Sequence, residues 1–260
     1  MRVAKINIDE TITKANDHIE IVPFYDLHIG SGVCDYNAIH DRINYVLDKE
    51  NRFAILGGGL INNSIKTGVG DVYSEELSPM EQMAKIVEIF KPIAKRVIAI
   101  IPGNHERRSY KTDGIDLTQL IARELHIERV FDSCAMLDFI SCGEYKKRPI
   151  VYTLYATHGE GSNGRLVGSK ANSLVRRAQN IDAEIIVTGH THTPFITRSA
   201  TYRCDISHRN VQLIEQTLVN ASSTLGYEEY AELMGMSPNS NAVPIIKLYT
   251  RQHKIDVTLS

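Results

Sequence analysis

The sequence predicts an α/β fold of two β-sheets packed face to face with helices outside, a sandwich in four layers, α/β/β/α. Two observations lead there. In roughly the first hundred residues, short continuous apolar strands alternate with amphipathic helices, the pattern of a sheet buried on both faces. From residue 194 onward, alternating strands follow one another with only loops between, and their apolar faces need a second layer to cover them.

Taken in order, "MRVAKINIDETITK" alternates and carries charge, so it reads as a strand and not as a leader peptide. "HIEIVPFYDLHIG" (18–30) is a β-type run ending in a polar loop. Residues 36–50 place Ile39, Ile43, Val46 and Leu47 at helical spacing. "FAILGG" (53–58) is a short apolar strand stopped by glycine. Residues 78–96 read as a helix, with Ser78 as N-cap, Pro79 at the first helical position and Glu81 completing a capping box. "VIAIIPG" (97–103) is another apolar strand. Strands at 148–159 and 183–190 flank a polar helix at 164–180, and strands at 194–203, 211–220 and 243–260 follow. There is no internal repeat and no linker, so residues 1–260 are expected to form a single domain.

Composition sets outer limits. Hydrophobic residues are 43%, charged residues 23% and the net charge is −2, which excludes a protein that works by general attraction to nucleic acid or anionic membrane. No apolar run approaches the ~18 residues that span a bilayer, so no membrane partner is expected. Cys34, Cys134, Cys142 and Cys204 are far apart and form no C-x-x-C pair. Reduced thiols and a cytoplasmic location are the expectation.

The chemistry concentrates where apolar strands end. "FYDLHIG" supplies Asp26 and His28, "IPGNHE" supplies Asn104 and His105, "YATHGEG" supplies His158, and "VTGHTHT" supplies His190 and His192. A fifth strand ends in "LGGGLIN", with Gly59 and Asn62. Ligand sites of α/β sheets gather at the carboxyl ends of strands. On extended backbone, residues two apart point the same way, so D-x-H and H-x-H can each offer two donors to one place. Imidazoles mixed with carboxylate and amide oxygens suit Mn, Fe, Zn or Ni better than Mg or Ca. Seven or so donors exceed one tetrahedral ion and suit two ions about 3.5–4 Å apart, the arrangement used for in-line attack at phosphorus. His18, His40, His126, His208 and His253 lie outside these stretches and receive no role.

With these residues in hand, the sequence resembles the calcineurin-like metallophosphoesterase family, whose pattern is D-x-H, G-D, G-N-H-D/E, a lone His, then G-H-x-H. The matching stretches are "DLH" at 26–28, "GG" at 58–59, "GNHE" at 103–106, "THG" at 157–159 and "GHTH" at 189–192. The resemblance implies two divalent ions, with manganese favoured. Asp26, His28 and His192 would hold one, and Asn104, His158 and His190 the other. It places Asp26 and Asn104 with His105 among the catalytic residues, His105 acting as general acid or electrostatic stabiliser of the leaving oxygen.

One position departs from the pattern. Where the family has an aspartate bridging both ions, this chain has Gly59. Two divalent ions 3.5 Å apart repel by on the order of 20 kcal/mol at an effective dielectric near 20. A bridging carboxylate offsets much of that, so the second ion is expected to bind weakly and activity to be impaired. Three explanations stand open: an engineered change, a naturally degenerate homologue with a binding role, or replacement of the carboxylate by a water, Asn62 or an acid such as Asp71. On the expectation of a simple loss, Gly59→Asp would restore activity.

The continuation "LINNS" differs from the "YVDRG" of the family's protein phosphatases and resembles bacterial and phage phosphodiesterases and nuclease-like members. The expected substrate is a phosphodiester in DNA, RNA or a nucleotide. Arg107, Arg108 and Arg165 are candidate phosphate contacts, and Tyr110 could stack on a base. Nothing in the sequence indicates an oligomeric state.

Overall fold

The computed structural model describes residues 3–65, 73, 75–131, 135–161, 166–207, 209–227, 238 and 240–260. Its elements in chain order are β1 (Val3–Asn7), α1 (Glu10–Ala15), β2 (His18–Phe24), α2 (Tyr36–Asp48), β3 (Arg52–Leu56), α3 (Pro79–Phe90), β4 (Val97–Ile100), α4 (Glu106–Asp113) and α5 (Leu117–Glu124). There follow β5 (Ala135–Tyr145), β6 (Arg148–Thr157), α6 (Val167–Ala178), β7 (Ile185–Thr188), β8 (Phe195–Asp205), β9 (Asn210–Asn220), β10 (Pro244–Tyr249) and β11 (Ile255–Leu259).

They form two sheets, as the alternation predicts. One has five strands in the order β11-β10-β2-β3-β4, with β2, β3 and β4 parallel. The other has six, in the order β1-β5-β6-β7-β9-β8, with β6, β7 and β9 parallel. The period of two sorts side chains between layers. On β2, Ile19 and Ile21 enter the core between the sheets, while Val22 and Phe24 pack under α2 and α3. On β3, Phe53 and Ile55 point inward and Ala54 and Leu56 outward. On the far side, Leu174 and Ala178 of α6 cover Tyr155, Ile186 and Leu218. The parallel connections make β2, β3 and β4 end at the same rim, and β6 and β7 end beside them.

Several boundaries differ from the expected ones. The 78–96 helix begins with the expected capping box, but its α-helical part stops at Phe90 and Lys91–Arg96 is a 3-10 turn. Pro92 has no N–H to continue the ladder. The first strand stops at Asn7, and the Asp9 side chain accepts from Thr11 N–H to start α1 instead. β5 and the helices α4 and α5 fall in a stretch where no element was expected. β8 and β9 form a long ribbon. β9 pairs with β7 only through Thr217–Asn220, so in the sheet the distal residues 201–205 and 210–214 pair only with each other. That end exposes Tyr202, Ile206, Val211 and Leu213.

Cys34, Cys142 and Cys204 are free thiols, and Cys134 lies outside the described residues. Among the described residues no helix is long and apolar enough to cross a membrane.

The core between the sheets sets the stability of this architecture. Ile55 is fully buried there. Ile55→Ala should cost about 2–5 kcal/mol, whereas Leu213→Ser on the exposed ribbon should change stability by less than about 0.5 kcal/mol. Equilibrium urea unfolding of both variants checks this.

Candidate metal centre

All five loops of interest leave carboxyl ends of strands. Asp26 and His28 follow β2, Gly57–Gly59 follow β3, Asn104 and His105 follow β4, His158 follows β6, and His190 and His192 follow β7. The loops are not extended as the spacing argument assumed. Asp26, His28, His190 and His192 all have left-handed backbone, with φ of 51°, 52°, 65° and 56°. Such conformations cost about 1–3 kcal/mol each and cluster at functional sites. Both two-apart pairs therefore converge through paired tight turns, not through a strand.

The side chains meet as two adjoining groups. The His28 and His192 Nε2 atoms lie 3.2 Å apart, and Asp26 Oδ1 lies 4.0 Å from the first and 3.6 Å from the second. In the other group, His158 Nε2 is 2.7 Å from Asn104 Oδ1 and 3.2 Å from His190 Nδ1. Asp26 Oδ1 reaches this group too, 3.9 Å from His158 Nε2. Asp26, His28 and His158 are almost wholly buried.

Hydrogen bonds at the back of the rings fix which nitrogens face inward. His158 Nδ1–H donates to Gly57 O at 3.0 Å, which leaves Nε2 bare. Asn62 Nδ2 donates to Glu75 Oε1, so its Oδ1 accepts from His28 Nδ1–H at 3.1 Å, and His28 Nε2 is bare as well. The first group thus holds three inward acceptors, at His28 Nε2 and the two oxygens of Asp26. Asp26 Oδ2 takes His190 N–H at 2.6 Å. In the second group a bare nitrogen confronts an amide oxygen at 2.7 Å. Two groups of inward acceptors, each with one ring oriented from behind, fit divalent cations.

Electrostatics agrees with that donor set. Burial alone would raise the Asp26 carboxyl, but the imidazoles of His192, His158 and His28 outweigh it and hold Asp26 well below the ordinary carboxylate range. Burial, reinforced by neighbouring His105 and His192, drives His28 well below the usual histidine value. Burial, together with His158, lowers His190. Around pH 7 Asp26 is a carboxylate, and His28 and His190 are neutral imidazoles.

Residues outside the metal-type set hold these loops. Glu106, 2% exposed, accepts N–H groups from Gly59 (3.1 Å), Leu60 (2.7 Å) and Gly103 (2.8 Å), locking the β3 loop to the β4 loop. The end of β9 and the segment after it do the same for the β2 and β7 loops. Ser223 Oγ donates to Asp26 O at 2.6 Å, Thr224 Oγ1 to Leu27 O, and Asn220 Nδ2 to Thr191 Oγ1 and Thr193 O. These supports over-determine the left-handed turns. Sequence reading missed them because buried Glu, Asn, Ser and Thr facing backbone have no characteristic spacing. The one available signal was Glu106, the last letter of "GNHE".

The remaining expected residues divide. His105 stacks edge-on to His28, with ring centroids 4.5 Å apart, and its Nδ1–H is donated to Asn62 O. Its Nε2 accepts from Arg108 Nη2 at 3.3 Å. Burial and Arg108 push it down to about 4. In this state His105 carries its proton at Nδ1 and accepts at Nε2. Arg108 is the cation here, fixed by Asn62 O (3.0 Å) and Asn63 O (3.2 Å). Arg107, one residue earlier on α4, lines a separate cavity of about 340 Å³ with Pro102, Tyr110 and Asp116. Tyr110 is 53% exposed there, and none of the expected metal ligands lines that cavity. Arg165 and Asp71 lie outside the described residues.

Glu106→Gln replaces an acceptor oxygen by an N–H₂ group facing backbone N–H donors. At about 1–3 kcal/mol per buried group left unsatisfied, it should cost at least ~2 kcal/mol despite equal size, read by urea unfolding. The histidines set a pH dependence. Unfolded His titrates near 6.5, and the folded values of His28, His105 and His190 lie lower. As pH falls below about 6.5 the unfolded state binds protons first, so folding loses up to about 1.4 kcal/mol per pH unit per histidine. Asp26, also depressed, adds a loss of the same sign only below about pH 3.9. The Tm of metal-free protein should therefore drop steadily from pH 7 to pH 5; an unchanged Tm would contradict the assignment of neutral imidazoles.

No protein-family model and no curated protein sequence matches the chain. Solved structures with a similar chain path include the calcineurin-like phosphoesterase YfkN from Bacillus subtilis, 12% identical over 94% of this chain and 90% of that one, TM-score 0.44. Another is a metallophosphoesterase from Sphaerobacter thermophilus, 11% identical over 93% and 88%, TM-score 0.43. A third is wild-type Vps29 complexed with Zn²⁺ from Entamoeba histolytica, 10% identical over 93% and 98%, TM-score 0.40. What the chain shares with these structures is its fold, two mixed sheets flanked by helices.

Proposed function

We propose that this chain is a divalent-metal-dependent phosphoester hydrolase of the phosphodiesterase or nuclease type. The observation that carries the reading is the pair of donor groups at one rim, {Asp26, His28, His192} and {Asn104, His158, His190}, in each of which one buried ring, His28 or His158, is oriented by a hydrogen bond from behind. Mn²⁺ is the favoured ion, and Fe, Zn and Ni suit the same donors. When bound, the ions would polarise phosphoryl oxygens and lower the pKa of a water towards neutrality.

The chain's own residues supply position and charge. Arg108, held by two backbone carbonyls and by His105, presents a fixed guanidinium beside the pocket for a phosphate oxygen. His105 acts through Arg108, keeping that guanidinium in place. On the other side of the His190 loop, a cavity of about 520 Å³ is lined by Lys170, Arg176, Arg177, Gly189 and Thr191. Arg177 is paired there with Glu160 at 2.7 Å, and the excess of cations over this one acid supports a substrate with further negative charge beyond the reacting phosphate, as in DNA, RNA or a nucleotide.

One observation favours a second reading, a catalytically degenerate protein that binds phosphate or nucleotide on the same fold. Gly59 supplies no donor, and unless another carboxylate is shared between the groups, the second ion is weak and turnover impaired.

Hydrolysis of bis-p-nitrophenyl phosphate with Mn²⁺ separates the readings. For a hydrolase, turnover is metal-dependent, and His192→Ala lowers kcat/KM at least about 100-fold. Arg108→Ala should lower it by about 10²–10³, the scale for losing one fixed donor to developing charge, while Arg107→Ala, facing away, changes it little. Tight phosphate binding without turnover would support the binding protein instead.

A further inference from the structure

We propose that Asp26 supplies the shared carboxylate that Gly59 cannot, with one oxygen serving both groups of donors; the proposal rests on the two-ion reading above. Ligands of one first-row ion sit about 2.0–2.2 Å from it, and so on the order of 3–4 Å from each other. Asp26 Oδ1 keeps that separation to nitrogens on both sides: 3.6 Å to His192, 4.0 Å to His28 and 3.9 Å to His158. Asp26 therefore belongs to both groups by distance, where the family pattern would place it in one.

Its position is not free to change. Oδ2 is tied to His190 N–H, and the Asp26 carbonyl accepts from Ser223 Oγ at 2.6 Å and Thr224 N–H at 3.2 Å. Position 59 is shaped around it. Gly59 has φ +64°, and a Cβ there would stand 2.7 Å from Asp26 Oδ1 and 3.0 Å from Asp26 Cα. A side chain at 59 and the present placement of Asp26 exclude each other. Gly58, at φ +84°, is likewise committed, because a Cβ would meet Gly103 N at 2.3 Å. The glycines are thus the condition for Asp26's place and not the scar of a lost ligand. The Asn62 alternative fails on this geometry, since its amide is spent on His28 and Glu75.

The test uses Mn²⁺ as probe, with calorimetry for stoichiometry, electron paramagnetic resonance for coupling between ions, and circular dichroism to verify folding. The wild-type chain should bind two Mn²⁺ and show a spin-coupled pair, a result that needs no variant. In a His28→Ala/His192→Ala background, which leaves only the Asn104 group, adding Asp26→Asn should weaken the remaining site at least tenfold. Gly59→Ala should weaken both sites, and Gly59→Asp should not tighten them. An unchanged remaining site on Asp26→Asn, or a tighter coupled pair in Gly59→Asp, would overturn the sharing while leaving the two-ion reading intact. Two uncoupled ions, or a single ion, would also overturn it. Absence of stoichiometric Mn²⁺ in the wild type overturns both readings.

Discussion

The structure turns on one buried carboxylate. Asp26 is 1% exposed and sits at the end of a central strand, where water cannot solvate its charge. Burial of an unpaired ion is among the costliest arrangements a fold can contain. Three imidazoles and one backbone N–H make it tolerable, and they come from three separate strand ends. The two sheets must therefore pack so that β6 and β7 finish beside β2. The four-layer architecture and the pocket chemistry are solutions to the same constraint.

The same constraint explains why so much polar hardware surrounds so few functional atoms. Four consecutive-but-one residues hold left-handed backbone, each an energetic cost that local sequence does not favour. Ser223, Thr224 and Asn220 bind the strained loops from one side and Glu106 locks the neighbouring loops from the other. Together these groups turn flexible strand ends into a rigid rim. Arg108 uses the same device, since its position is dictated by carbonyls of Asn62 and Asn63 rather than by its own long side chain.

What was legible in the sequence was what repeats or clusters. Short continuous apolar runs such as 53–56 and 97–101 disclosed the first sheet, alternating runs after residue 194 disclosed the second layer, and Ser78-Pro79-Glu81 disclosed a helix start. Histidines and acids at strand ends disclosed which loops would meet. Other elements carried no such signal. β5 and β6 join through Lys146-Lys147, both left-handed, in place of the Asn-Gly pair that usually announces a tight hairpin. α4, "ERRSYKTD", is polar around most of its circumference and has no apolar stripe to read. In the pocket, residue types were readable but conformation was not. D-x-H was expected to converge as extended backbone and does so by tight turns. Arg107 and Arg108 looked equivalent, yet one helical step sends Arg107 to a cavity of its own and Arg108 to the carbonyls of Asn62 and Asn63. Gly59 read as a missing ligand because sequence shows what a residue lacks and not what fills its space.

The β8–β9 ribbon lies at the other extreme of order from the rim. Its distal residues 201–205 and 210–214 hold each other and no further strand, and Tyr202 and Ile206 stand in solvent. Little apolar area is lost when that tip opens, so its amides belong to a unit of low local stability. In native-state hydrogen exchange they should take up deuterium well before those of Thr217–Asn220, where β9 joins β7. The two ends of a single strand would then report two different free energies of opening.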